Sequence, residues 1–156
     1  IPRFLPDEVI ELCRRRPLPS VPPGIPEPIP ENCIAECTLN VTRVLMNHRF
    51  RVEQARKVLL ARTANDTAWK RTISNAIDKC YRIEVANSFY LQDLAQNIIS
   101  TQCLPSSVRF LECTFAMTYR ECPDEYWNDP NKSCFLLVKA LNNCRFFFRG
   151  KVDALE

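Results

Sequence analysis

At 156 residues and 46% hydrophobic content, the chain is long enough for one compact domain with a real core and too apolar to be disordered. A net charge of +3 is too mild to imply a nucleic-acid partner. The longest apolar runs are Phe135–Val138 and Phe146–Phe148, so no segment is expected to span a membrane.

In chain order, Pro6–Arg16 reads as a short first helix, opened by Asp7 and Glu8, closed by Arg14-Arg15-Arg16 and stopped by Pro17. The three arginines suit a solvated helix end. Residues 17–30 hold seven prolines and predict an extended polyproline strap over the surface, with Cys13 and Cys33 on either side. Beyond the strap glycine is absent until Gly150, which argues against strand-rich folds that need many tight turns. Asn32 is placed as the cap of a helix running to about Met46, with Cys33, Cys37, Val41, Val44 and Leu45 near one face. A helix over Val52–Arg62 turns Val52, Ala55, Val58 and Leu59 inward. A longer one over Thr67–Ala86 turns in Trp69, Ile73, Ala76, Ile77, Cys80 and Ile83. Ser88 caps the next, carrying Leu91, Leu94, Ala95 and Ile98. Ser106 or Ser107 opens another, with Phe110, Cys113, Ala116 and Met117 on one face and Pro123 at its end. A last helix fits Ser133–Phe148. The expected architecture is all-α, a compact bundle of six to seven helices in one domain, residues 1–156.

Nine cysteines are dense usage for a chain that can already bury a core, and they point to an oxidising compartment. Three glycosylation sequons in polar stretches agree: Asn40-Val-Thr42, Asn65-Asp-Thr67 and Asn131-Lys-Ser133. The chain begins at Ile1 without an apolar leader and reads as a mature or trimmed secreted product. Cys33 and Cys37 stand one helical turn apart on the same face, which suits each to a different partner. Cys113 and Cys122 are too far apart to bridge along one helix, so each staples this region to another element. Catalysis is not expected. The lone histidine, His48, lies in a polar stretch and reads as a solvated loop residue. No calcium loop or Cys-x-x-Cys pair is present, so neither metal nor cofactor is expected.

The cysteines stand at 13, 33, 37, 80, 103, 113, 122, 134 and 144, separated by 19, 3, 42, 22, 9, 8, 11 and 9 residues. This ladder resembles that of insect odorant-binding proteins, in which three residues separate the second and third cysteines and eight separate the fifth and sixth. Cys103 before the fifth, Pro123 after the sixth, and Cys134 and Cys144 downstream make it similar to the Plus-C subgroup known from mosquitoes. The resemblance runs from residue 13 to residue 144. It implies a helical bundle stapled around an apolar cavity, with bridges Cys13–Cys37, Cys33–Cys113 and Cys80–Cys122. Of the remaining three cysteines we pair Cys103 with Cys144, which leaves Cys134 free.

The implied function is to bind small hydrophobic ligands, odorants or pheromones, and carry them through extracellular fluid to chemosensory receptors. A cavity of that kind needs an apolar wall with a few polar groups. The inward faces nominate Phe89, Leu94, Ile98, Phe110, Met117, Leu137 and Leu141, with Tyr90 and Tyr119 offering hydroxyls. Phe146–Phe148 is read as a tail that plugs the interior or as an interface patch. The alternative is a secreted interaction or scavenger protein on the same scaffold, a homodimer with a non-olfactory role. The odd cysteine, the aromatic tail and the strap motivate it.

Overall fold

The computed structural model describes residues 4–63, 65–86, 103–126 and Cys134. Helix α1, Asp7–Arg14, opens with Asp7 and Glu8 and closes with Arg14, so its charges complement the helix dipole at both ends. The chain then runs extended. Residues 14–20 and 22–27 are all exposed, Val21 is half-buried, and Pro28 is buried. One turn interrupts this run. The Ile25 N–H donates to the Pro22 carbonyl at 3.2 Å, and Gly24 has φ +89°. Pro23 and Gly24 occupy the central positions of a type II turn, whose second central residue needs positive φ.

Helix α2, Pro30–Val41, starts two residues before the expected cap. Proline at the first helical position loses no intrahelical hydrogen bond and has the right φ already. Asn32 is therefore inside the helix, and it is buried with Ala35, Thr38 and Leu39. Cys33 and Cys37 are only half-buried and Val41 is exposed, so the inward face is rotated from the expected one. Thr38 can sit in the core because its hydroxyl donates to the Ile34 carbonyl at 2.7 Å.

The helix ends well before Met46. Thr42 closes it and Arg43 follows in the left-handed region at φ 59°. A hairpin then forms from β1, Leu45–Met46, and β2, Arg49–Phe50, which pair antiparallel with Leu45 opposite Phe50 and Met46 opposite Arg49. Asn47 at φ 51° and His48 at φ 59° make its two-residue turn. Positive φ at both positions is the type I′ turn, whose twist matches the strands. His48 is exposed there, as a solvated loop residue should be.

Helix α3, Val52–Leu60, follows directly and stops short of Arg62 because Thr63 folds back, its hydroxyl donating to the Leu60 carbonyl at 2.7 Å. Helix α4 covers Thr67–Ala86. It buries Trp69, Ile73, Ala76, Ile77 and Cys80 at helical spacing. Asp66 caps it, accepting from the Trp69 N–H at 3.0 Å. Helix α5, Pro105–Arg120, again begins on a proline. A 3-10 turn over Asp124–Tyr126 follows it. Among the described residues the chain is thus helical apart from one small hairpin. The expected helices over 88–98 and 133–148 lie outside the described residues, Cys134 excepted.

Helix α5 packs against α4 and α2, α3 packs against α4, and α1 packs against α2. The core they share includes Leu39, Leu45, Leu59, Ile73, Ile77 and Phe110. Surface ion pairs add to these contacts. Arg56 of α3 reaches Glu53 on its own helix and Asp78 of α4, and Lys79 of α4 reaches Glu121 past the end of α5. Such pairs are each worth at most about 1 kcal/mol.

Among the described residues four disulfides form: Cys13–Cys37, Cys33–Cys103, Cys80–Cys113 and Cys122–Cys134. Of the expected pairs only Cys13–Cys37 is present. Cys33 bonds Cys103 instead of Cys113, Cys80 bonds Cys113 instead of Cys122, and Cys103 is not left for Cys144. Cys134 is bonded, not free. The reason is reach. Cys103 lies just ahead of α5 with its Cα 4.9 Å from that of Cys33, near the start of α2. Cys113 lies ten residues on, about 15 Å along the chain's helical rise. There it faces Cys80 of α4, with the two Cα atoms 5.8 Å apart. The order of connection, first to third, second to fifth and fourth to sixth, is kept once Cys103 and Cys113 are counted as fifth and sixth. Cys122 and Cys134 form the added bridge. Cys144 lies outside the described residues.

Candidate ligand-binding interior

Helix α5 carries the nominated wall residues that lie within the described part of the chain. Phe110 is 1% exposed, and its ring lies 5.0 Å from that of Phe50 at the end of the hairpin. The hairpin therefore places an aromatic lid against the first half of α5. Met117, two turns further along the same side, is half-buried and packs on the core. Tyr119 lies on the opposite side of the helix from Phe110, as nine residues at about 100° each require. It meets Phe4 edge to face at 6.0 Å, and Phe4 in turn lies 4.9 Å from Phe115. Burial pushes the Tyr119 hydroxyl's pKa up. Of the nominated wall residues, Phe110 and Met117 thus share one side of α5, while Tyr119 faces Phe4 on the other side, within the same continuous core. Phe89, Tyr90, Leu94, Ile98, Leu137 and Leu141 lie outside the described residues.

The inward stripe of α5 is unlike the expected one. It runs through Ser107, Leu111, Thr114 and Thr118, with Phe110 beside it. Three of these are polar, so a search for apolar periodicity passes over them. The threonines are satisfied locally. The Thr114 hydroxyl donates to the Phe110 carbonyl at 2.8 Å, and that of Thr118 to the Thr114 carbonyl at 2.7 Å. Ser107 is fully buried, yet its hydroxyl has no hydrogen-bond partner among the described residues.

Two further polar fastenings were not legible in the pattern. The Glu36 carboxylate of α2 accepts from the Leu104 N–H at 2.6 Å and so caps the start of α5 across the bundle. Negative charge suits this positive helix end. At the other end of α5, the Tyr126 hydroxyl donates to Asp66 while its ring lies 5.4 Å from that of Trp69. The Asp66 carboxyl is held below its ordinary range, chiefly by that hydrogen bond and then by the Trp69 N–H. The phenol of Tyr126 is pushed up by the same bond. Among the described residues no cluster of histidine, cysteine or carboxylate could hold a metal ion, and no helix is long and apolar enough to cross a membrane.

Comparison with known proteins places this arrangement. No solved structure matches the chain. The general odorant-binding protein 67 of Anopheles gambiae is 22% identical over 152 residues, covering 94% of this chain and 72% of that protein. Residues 23–139, three quarters of the chain, match the AgamOBP47-like family. That family consists of binders, not enzymes, and the helical, disulfide-laced scaffold fits it. The chain belongs to the AgamOBP47-like family of insect odorant-binding proteins.

Proposed function

We propose that residues 1–156 act as one secreted domain that binds small hydrophobic molecules in its interior and carries them through extracellular fluid to chemosensory receptors. Family membership supports the reading, and one observation carries it. Three interlocked bridges hold α1, α2, α4 and α5 at fixed spacing, so the interior need not rely on close packing alone. Phe110 and Met117 line the described side of that interior, and Phe89, Tyr90, Leu94, Ile98, Leu137 and Leu141 complete the proposed wall. Tyr119 is a weaker member because it lies on the other side of α5, against Phe4. The test is displacement of a fluorescent apolar probe, such as N-phenyl-1-naphthylamine, by a panel of small volatiles. Micromolar displacement by several of them is expected. Failure of the whole panel would reject carriage.

Leu12, Leu18, Ile25 and Ile29 are all exposed along α1 and the strap. This favours a second reading, in which that face meets a second copy of the chain. Sedimentation over a range of concentrations separates the two. A strict monomer rejects self-association.

A further inference from the structure

We infer that Ser107, at the buried start of α5, is the hydrogen-bonding anchor for a neutral oxygen on the guest molecule, so the ligands are mono-oxygenated apolar compounds and not fatty acids. The inference rests on the carriage reading above. A buried hydroxyl without a partner is destabilising, and such groups call for an explanation. Ser107 is 0% exposed and its hydroxyl is unpartnered among the described residues.

Its position explains why the helix does not satisfy it. Thr114 and Thr118 on the same stripe donate to the carbonyls four residues back. For Ser107 that residue is Cys103, which precedes the N-cap Leu104 and lies off the helical ladder. The Leu104 carbonyl accepts the Ser107 N–H at 3.1 Å and takes no bond from its hydroxyl. Side chains on a helix lean toward its N-terminus. The Ser107 hydroxyl therefore leans over the first turn of α5, where Pro105 brings no N–H and Ser106 is also buried.

The charge at this end selects the ligand. A helix N-terminus attracts an acceptor oxygen. Here the Glu36 carboxylate already sits on the Leu104 N–H at 2.6 Å and supplies the negative charge. A second carboxylate would meet like-charge repulsion in a poorly solvated site. An alcohol, aldehyde or ketone keeps the attraction without that penalty. A serine hydroxyl can donate to a carbonyl and can also accept from an alcohol.

The experiment compares matched ligands by displacement of N-phenyl-1-naphthylamine from the delipidated full chain. The pairs are carveol against limonene, which lacks only the hydroxyl, and octan-1-ol against octanoate. The wild type should prefer carveol and octan-1-ol. Ser107→Ala should weaken both by about fivefold to tenfold, the value of one net hydrogen bond, and leave limonene within about twofold. The ligand-free melting temperature of Ser107→Ala should hold or rise, because the substitution removes an unpaired buried group. Equal loss for carveol and limonene, or no loss for either, overturns the anchor while leaving carriage intact. So does a clear fall in ligand-free melting temperature, which would mean the hydroxyl is bonded without a guest. A wild type that binds neither the probe nor any of the four compounds overturns carriage itself. Wild-type preference for octanoate would overturn the charge argument, and Glu36→Gln supplies its converse by improving octanoate binding.

Discussion

The junction of α2 with α5 and the strap over residues 14–27 both lie next to the same cysteines, yet they are held by opposite means. At the junction, fasteners crowd within five residues of α2. Cys33 bonds Cys103, Glu36 caps the start of α5, and Cys37 bonds Cys13, beside the buried Thr38 and Leu39. The strap has almost nothing buried. Its order comes from proline's restricted φ, one type II turn and two anchored ends. The difference shows where bridges matter. They fix what surrounds the interior, and the segment between them is merely closed into a loop.

Breaking the junction should have the largest effect. The Cys33–Cys103 bridge spans 70 residues, the longest separation of the four. Replacing both cysteines with serine should cost about 4 kcal/mol in the chain-entropy picture. Chemical denaturation at matched conditions measures it. A cost no greater than that of removing Cys122–Cys134, whose separation is 12, would show that loop length is not what counts here. Next comes Leu39→Ala. Leu39 is fully buried in α2, and loss of its side chain should cost about 3 kcal/mol from transfer and cavity together. A cost below about 1 kcal/mol would mean that this side of α2 faces a void or a guest instead of packed side chains.

Asp66 sharpens the comparison at the far end of α5, where the fastener is a hydrogen-bonded carboxylate. Its folded-state pKa lies below the ordinary value, first through the Tyr126 hydroxyl and then through the Trp69 N–H. The stability it supplies is therefore full above the ordinary carboxylate pKa of about 4 and is lost as pH falls through the folded value. The raised pKa of Tyr126 works the other way, so its share is lost as pH rises through the folded phenol value. Asp66→Asn keeps a competent cap and should change neutral stability little, but it should flatten the acid limb of a stability–pH curve. Asp66→Ala removes the cap as well and should cost about 1 kcal/mol at neutral pH. An unchanged acid limb in Asp66→Asn would remove Asp66 as its source.

The sequence makes α4 legible end to end, because its apolar residues keep helical spacing from Trp69 to Cys80 and nothing interrupts them. It makes the all-α class legible as well, and the family resemblance implies the Cys13–Cys37 bridge. The other expected bridges fail because the family resemblance implies an order of partners but not which cysteine is extra. Only the distance between Cys33 and Cys103 settles that. The hairpin is masked because Asn47-His48 lacks the glycine that usually marks a type I′ turn, and left-handed asparagine carries the signal alone. The polar stripe of α5 is the deepest miss. Ser107, Thr114 and Thr118 look like surface residues until their hydroxyls are followed to carbonyls, and Ser107 stands out because that search fails.

The smallest effect should come from the strap. Leu18 is 45% exposed and follows the exposed run from Arg14 to Pro17. If the strap is held only by its ends, Leu18→Ser removes no buried contact, and its cost should stay within about 0.5 kcal/mol. The bridge at Cys13 and the packing of α2 would be untouched, so helix content and probe binding should be unchanged. A cost above about 1 kcal/mol would mean that Leu18 is covered in solution, since an exposed leucine has little transfer energy to lose. If that cost grows with protein concentration, the cover is a second copy of the chain, and the strap would then belong with the junction as a packed surface.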